Sequence, residues 1–184
     1  QEPVKLDMNQ VQGYRDVEAF LNHPELQLVD ICSPTATHSS LVLQALEAGK
    51  HVLCEKPITR TSDEAKSLVE AIGKHSTYFM PAMCLRFWPE WLFLKKAIDE
   101  GTYGKALGVR FRRVAEPPGW SQDSYLDGEK SGGALLDLHI HDTDFVQYCF
   151  GLPKSVFSTG FSKVSGAIDH VVTQYQTASG ACVS

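Results

Sequence analysis

Residues 29–57 have the sequence VDICSPTATHSSLVLQALEAGKHVLCEKP, and this stretch decides the fold class. The nearly continuous apolar run at residues 28–32 predicts a strand that is buried on both faces of a parallel sheet. Four apolar residues that follow share one stripe of a helix: Leu41, Val42, Ala45 and Leu46. A second short strand is predicted at residues 51–54. The order strand, helix, strand is typical of a doubly wound α/β sheet.

The ends of these elements carry polar signals. Thr35 or Thr37 is expected to cap the helix, and Gly49 is expected to end it in the left-handed conformation. Glu55, Lys56 and Pro57 then fall at the carboxyl end of the second strand. Because ligands bind outside the carboxyl ends of strands in open α/β sheets, this tripeptide is a candidate functional segment.

Three motifs follow one another along the chain. They comprise Ser33, Pro34 and His38, then Glu55, Lys56 and Pro57, and finally Gly132, Gly133, Leu135, Asp137 and His141. In this order they resemble the S/T-P-x-x-x-H, E-K-P and G-G-x-L-x-D-x-x-x-H motifs of the Gfo/Idh/MocA family of NAD(P)-dependent oxidoreductases. The resemblance extends over residues 14–183.

The resemblance and the hydrophobic pattern together predict a fold in two parts. Residues 1–82 are expected to form the C-terminal part of a Rossmann-like dinucleotide-binding domain with a parallel sheet. Residues 83–184 are expected to form an incomplete α+β domain for substrate binding and oligomerisation, with a mainly antiparallel sheet. Its predicted elements include a helix over 134–150 and alternating strands at 156–162 and 168–177.

The resemblance also implies functional residues. The catalytic residues would be Lys56, Asp137 and His141, and the cofactor-binding residues Ser33, Pro34, Thr35, His38, Glu55, Lys56 and Arg86. Oxidation of a secondary alcohol needs a base for the hydroxyl proton and a donor near the oxygen, and His141 and Lys56 supply these groups. NAD or NADP would be the cofactor, with a small carbohydrate-like molecule as substrate.

Asp137 and His141 are four residues apart, so on one helix they share a face. We therefore expect the Asp137 carboxylate to orient the imidazole, with the pKa of His141 near its reference value of about 6.5. His139 and His141 also suggest a metal-dependent hydrolase as an alternative. On a helix, however, two histidines that are two residues apart point in roughly opposite directions, so we predict no metal site.

Composition excludes several classes of partner. A net charge of -5 and the absence of a clustered basic surface argue against nucleic acid and anionic membranes. Five cysteines without CxxC spacing, mostly inside apolar runs, predict reduced, buried thiols in a cytoplasmic protein. No signal peptide or membrane-spanning run is evident.

The sequence lacks the G-x-G-x-x-G turn that holds the pyrophosphate in dinucleotide-binding domains. We therefore expect a fragment of a longer enzyme that binds cofactor poorly on its own and self-associates through its second sheet; the alternative is a non-catalytic truncated remnant. The loop at residues 115–131 is expected to line the substrate pocket. Candidates for stacking on a sugar are Trp88, Trp91, Trp120 and Tyr125, although aromatic residues at this density more often belong to the core.

Overall fold

The computed structural model describes residues 7–116, 119 and 125–184. The first part contains α1 (Val17–Leu21), β1 (Leu28–Ile31), α2 (Thr35–Glu47), β2 (His51–Cys54), α3 (Ser62–Ile72) and β3 (Phe79–Pro81). The second part contains α4 (Pro89–Glu100), β4 (Gly108–Val109), α5 (Gly128–Ser131), α6 (Gly133–Asp137), α7 (His139–Phe150), β5 (Ser155–Phe161), β6 (His170–Gln176) and β7 (Cys182–Val183). Short 3-10 turns lie at Met8–Gln10 and Cys84–Phe87.

The first sheet is parallel and has the order β1-β2-β3, as the strand, helix, strand pattern predicts. The apolar stripe of α2 packs against β1 and β2, and its residues Val42, Ala45 and Leu46 are fully buried. Burial of β1 on both faces is not observed, because Val29 and Ile31 are buried whereas Leu28 is 53% exposed. The buried pair packs into the core that α2 covers, while Leu28 lies outside it.

The helix ends confirm one expectation and correct another. Gly49 has a φ of 72°, in the left-handed region that it was expected to adopt. Neither threonine caps α2, since the cap residue is Pro34 and no side chain bonds to the free amides. The Thr37 hydroxyl instead donates to the Pro34 carbonyl oxygen at 2.7 Å, because Thr37 already lies inside the first turn.

The second sheet has the order β4-β7-β6-β5, with antiparallel pairing among β5, β6 and β7 and parallel pairing of β4 with β7. The fold class predicted from the sequence is therefore confirmed. The ring of Phe145 on α7 meets Trp91 of α4 edge-on, with ring centres 4.6 Å apart. This contact joins α4 and α7, and Phe111 stacks on the same Trp91 ring with ring centres 5.8 Å apart.

The predicted helix over residues 134–150 is interrupted. Leu138 separates α6 from α7, and the His141 amide donates to the Leu138 carbonyl oxygen at 3.2 Å. In a continuous helix that amide would donate to the carbonyl oxygen of Asp137, four residues back. The Asp137 oxygen instead accepts from the Lys56 ammonium at 2.8 Å, so the side chain of Lys56 takes the place of a helical hydrogen bond.

Three further expectations concern the loop, the cysteines and the membrane. The predicted loop at residues 115–131 ends in helix α5, and Pro117, Pro118 and Trp120 lie outside the described residues. All five cysteines are free, but Cys32 and Cys182 are exposed, so the prediction of buried thiols is wrong for these two. Within residues 7–116, 119 and 125–184, no helix is long and apolar enough to cross a bilayer.

Candidate active site

The ion pair of Lys56 with Asp137 joins the two parts of the chain. Lys56 follows β2 at the carboxyl edge of the parallel sheet, and Asp137 is the last residue of α6. The Lys56 Nζ lies 2.6 Å from Asp137 Oδ1 and 2.8 Å from the Asp137 carbonyl oxygen. Their side chains are 17% and 19% exposed, so the pair is largely shielded yet within reach of a ligand. The peptide bond between Lys56 and Pro57 is cis.

His141 is buried at the start of α7, and its Nδ1 has no hydrogen-bond partner among the described residues. Burial lowers the pKa of His141 below its usual value, and the positive charges of Lys56 and Arg113 lower it further. The ring is therefore neutral at neutral pH and can accept a proton. Its expected hydrogen bond to Asp137 is not formed, because the Asp137 carboxylate bonds to Lys56 and the helix break separates the two residues.

His38 lies on α2 and is only 1% exposed. Its Nδ1 is 2.8 Å from the Pro57 carbonyl oxygen, and its Nε2 is 2.8 Å from the Ser33 carbonyl oxygen. The imidazole thus bridges the turn after β1 and the segment after β2. Thr35 is the first residue of α2, and the Ser33 hydroxyl bonds to that of Thr37 at 2.6 Å. These residues line the same edge of the sheet as Lys56.

Glu55 and Arg86 have different surroundings. The Glu55 carboxylate accepts from the Lys56 amide at 3.1 Å, which keeps it at the carboxyl end of β2. The Arg86 guanidinium forms two hydrogen bonds with the Asp144 carboxylate, at 2.8 and 2.5 Å, and lies 4.7 Å above the ring of Tyr148. Asp144 raises the pKa of Arg86, mainly through these bonds. The structure thus places Arg86 in an ion pair with Asp144 of α7.

An open cleft of about 850 Å³ lies between α7, β6 and the segment after β4. Part of the predicted pocket loop lines it together with Asp137, namely Ala115, Glu116, Tyr125, Leu126 and Ser131. Burial raises the pKa of Tyr125, and the charges of Asp137 and Glu55 add to this shift. A second depression of about 710 Å³, between α4 and β4, is lined mostly by apolar side chains and contains none of the predicted site residues.

The cleft also contains two charged residues that were not predicted from the sequence, Arg113 and Asp142, close to the metal candidate His139. Arg113 bonds to Asp142 at 2.9 Å, and this carboxylate lies 3.8 Å from Nδ1 of His139. The His139 Nε2 is 2.8 Å from the Thr173 hydroxyl and 3.2 Å from that of Tyr175. Asp142 adjoins His141 in the sequence, which was a usable signal. No such signal marked Arg113, because Arg110, Arg112 and Arg113 lie in a predicted strand that would divide them between its two faces.

The two histidines of the suggested metal site lie on α7 in separate environments. His139 bonds to hydroxyl groups of β6, whereas the Nδ1 of His141 has no hydrogen-bond partner within residues 7–116, 119 and 125–184. Within the described ranges, no group of three or more histidine, cysteine, aspartate or glutamate side chains is arranged to hold a metal ion. The structure therefore offers no support for the hydrolase alternative.

Family models match both parts of the chain. Residues 4–83 match a model described as "Oxidoreductase family, NAD-binding Rossmann fold", and residues 91–184 match the GFO/IDH/MocA C-terminal domain. The chain belongs to the Gfo/Idh/MocA oxidoreductase family. This membership confirms the resemblance that the three motifs indicated, and it confirms nicotinamide dinucleotide as the class of cofactor of the family.

Individual members of the Gfo/Idh/MocA family support the same assignment. Myo-inositol 2-dehydrogenase of Thermotoga maritima is 33% identical over 92% of the chain, and levoglucosan dehydrogenase of Pseudarthrobacter phenanthrenivorans is 32% identical over 74%. A solved levoglucosan dehydrogenase, in complex with NADH and levoglucosan, covers 92% of the chain with a TM-score of 0.78 and 27% identity. The chain spans 52% and 36% of the lengths of the two curated relatives and 50% of the solved chain.

Proposed function

We propose that the protein containing this chain is an NAD(P)-dependent oxidoreductase that acts on a hydroxyl or carbonyl group of a sugar, a polyol or a related small molecule. The observation that carries this proposal is the Lys56 ammonium, which Asp137 holds within electrostatic reach of the neutral His141 ring, whose Nδ1 has no hydrogen-bond partner in the described part of the chain. When bound, the nicotinamide ring supplies the acceptor or donor of the hydride. The residues of the chain then have to bind the reacting oxygen and exchange its proton.

Each member of the site has a chemical task in this proposal. The Lys56 ammonium donates a hydrogen bond to the reacting oxygen and stabilises the negative charge that develops there. The His141 imidazole accepts the hydroxyl proton on a ring nitrogen, because burial and nearby positive charge keep the ring neutral. Asp137 orients Lys56 through its carboxylate and its carbonyl oxygen. It thereby acts on the lysine rather than on the histidine.

The cofactor fits the carboxyl edge of the parallel sheet. Glu55 and Lys56 follow β2 there, and Ser33, Pro34 and Thr35 follow β1. Ligands bind at this edge in such sheets. We propose that residues 1–82 supply the nicotinamide side of the site and that residues 83–184 supply the substrate side, including the cleft. The predicted contribution of Arg86 to cofactor binding stays part of this proposal.

Two relatives suggest the class of substrate. One is named for myo-inositol, and the other is solved with levoglucosan, so both act on molecules with several hydroxyl groups. The cleft of this chain contains polar groups that can bond to such hydroxyls, among them Arg113 and His139. These groups support a sugar or a polyol rather than an apolar alcohol.

The test is an assay of NAD⁺ and NADP⁺ reduction with a panel of polyols and sugars, including myo-inositol and levoglucosan. The protein is expressed from its complete reading frame. We expect one or more members of the panel to be oxidised with one of the cofactors, and no reaction with simple alkyl alcohols of the same size. Failure of every polyol and sugar with both cofactors contradicts the proposal.

We also propose that the protein self-associates through its second sheet, in the cytoplasm. The side chains of Phe157 and Phe161 on β5 are 68% and 54% exposed, and an apolar sheet face of this kind is typical of an interface. Sedimentation of the wild type and of a Phe157→Ser variant tests this idea. We expect the wild type to sediment as an oligomer and the variant to be dissociated at protein concentrations at which the wild type is still associated; a wild-type monomer contradicts it.

A further inference from the structure

We propose that His38 is a positioning residue that fixes the segment carrying Lys56, and that it makes no contact with cofactor or substrate. This inference rests on the proposed function, because positioning matters only if the Lys56 ammonium meets a reacting group. It departs from the sequence-based prediction that His38 binds the cofactor. Its basis is the bonding of the imidazole at both of its nitrogens.

The imidazole links two turns that are distant in the sequence. The Ser33 carbonyl oxygen belongs to the turn after β1, and the Pro57 carbonyl oxygen belongs to the residue directly after Lys56. Each oxygen lies 2.8 Å from a ring nitrogen, which is a normal hydrogen-bond distance. A neutral ring donates to one of the two carbonyls and a doubly protonated ring to both. In either state the ring spans the gap between the two turns.

Burial excludes a direct contact of His38 with a ligand in this conformation. The side chain is 1% exposed, and neither nitrogen is free to bind another group. Removal of the imidazole would leave one of these backbone carbonyls without its donor if the ring is neutral and both if the ring is protonated. The loss is costly because the bond to the Pro57 carbonyl is buried. The segment after β2 would then shift to recover hydrogen bonds, and Lys56 would move with it.

The site has a second anchor on the opposite side. Lys56 is held by Asp137 at its ammonium end and, through the Pro57 carbonyl, by His38 at its backbone end. With both ends held, the ammonium has one preferred position. Without the backbone anchor only the ion pair with Asp137 holds Lys56. A lysine that is held only at its ammonium end moves into solvent more often.

The test measures how fast acetic anhydride acylates Lys56 in the folded chain, with Lys66 as an internal exposed reference in the same sample. Peptide mass spectrometry gives both rates. The variants are His38→Phe, which fills the volume without hydrogen bonds, and His38→Asn, which keeps one donor. The control is Val42→Ala, because Val42 is fully buried on the same helix but has no hydrogen bond to the segment of Lys56.

We expect the Lys56 rate, relative to Lys66, to rise several-fold in His38→Phe and less in His38→Asn, with no change in Val42→Ala. An unchanged rate in folded His38→Phe overturns the proposal, and so does an equal rise in Val42→Ala. If His38→Phe does not fold, the wild type decides: its His38 ring N–H should resist exchange with solvent in ¹⁵N spectra, and rapid exchange overturns the proposal. Labelling needs no turnover. The test of His38 can therefore be read even if the dehydrogenase assay fails, and the two failures can be told apart.

Discussion

At the scale of single residues, the carbonyl oxygen of Asp137 has the largest consequence for the site. It accepts a hydrogen bond from Lys56, and the His141 amide turns to Leu138 instead. The helix therefore restarts at His139, and the imidazole of His141 is separated from the Asp137 carboxylate. The two groups proposed as acid and base, Lys56 and His141, thus occupy different environments. Lys56 is in an ion pair, and His141 is a buried ring whose Nδ1 has no hydrogen-bond partner among the described residues.

A titration of His141 by NMR tests this environment. We expect its pKa to lie below the usual value of about 6.5, since burial and the charges of Lys56 and Arg113 all disfavour the protonated ring. Lys56→Met removes one of these charges, so the pKa of His141 should rise in this variant. Lys66→Met is the control, because Lys66 is an exposed residue of α3 that pairs with Asp63. A pKa at or above 6.5 in the wild type contradicts the account.

The lowered pKa of His141 also makes the free energy of unfolding depend on pH. Its pKa in the folded protein is lower than in the unfolded chain, so the unfolded chain takes up the proton first as the pH falls. The free energy of unfolding should therefore decrease as the pH drops through about 6.5. This decrease stops once the folded-state ring is also protonated.

The sequence yields candidate site residues but not their hydrogen-bond partners. Lys56, Asp137 and His141 stand in short motifs, which can be found in one sequence. The bond of Lys56 to Asp137 crosses 81 residues, and no periodicity predicts a contact at that separation. The same holds for His38, whose partners are backbone oxygens that any residue type would carry.

At the scale of elements, Gly133 determines how α6 can approach the turn between β5 and β6. It has a φ of +68°, and a Cβ there would lie 2.5 Å from the Ile168 carbonyl oxygen. Gly101 has a similar φ of +63° but open space around it. A side chain at Gly101 would therefore meet only an unfavourable backbone conformation, whereas a side chain at Gly133 would also clash with a neighbouring atom.

We expect Gly101→Ala to lower the free energy of unfolding by roughly 1–2 kcal/mol, the cost of a left-handed conformation for a residue with a Cβ. Gly133→Ala should cost clearly more, because the backbone of α6 must also move away from Ile168. Urea denaturation of the two variants and of the wild type measures the difference. Equal losses would show that the close approach of Gly133 has no energetic weight.

The turn between β5 and β6 is held by Asp169. Its carboxylate accepts from the amides of Lys163, Val164 and Ser165 and from the Ser165 hydroxyl, and these bonds hold its pKa well below the usual range. This turn also contacts α5, because the Gly128 amide donates to the Ser165 carbonyl oxygen at 2.8 Å. Asp169 thereby supports the wall of the cleft.

We expect Asp169→Ala to lower the midpoint of thermal unfolding at neutral pH, whereas Asp63→Ala on exposed α3 should have little effect. Because the pKa of Asp169 is depressed in the folded state, its contribution is present above about pH 3.9 and is lost as the pH falls below that value. The difference between Asp169→Ala and the wild type should therefore shrink on acidification. A difference between the two unfolding midpoints that stays constant with pH would show that the ionised Asp169 carboxylate does not stabilise the turn.

At the scale of the whole molecule, hydrophobic patterns predicted the two sheets and their order along the chain. Alternation and apolar runs report which side chains face a core, and this information is local. The exposure of Leu28 was not predicted, because a run of apolar residues does not show how many of its members another element covers. The meeting of the two parts at Lys56 and Asp137 likewise depends on packing that no single segment encodes.

The most direct test of the account is the turnover number of Lys56→Met and His141→Ala in the NAD(P)-linked assay, with Lys66→Met as the matched control. We predict that each site variant loses about 10²- to 10⁴-fold in kcat, the usual contribution of a general acid or base. Asp137→Asn should lose less, because its amide oxygen still accepts a bond from Lys56. Losses smaller than about threefold in both site variants, in folded protein with an active control, would contradict the assignment of the site.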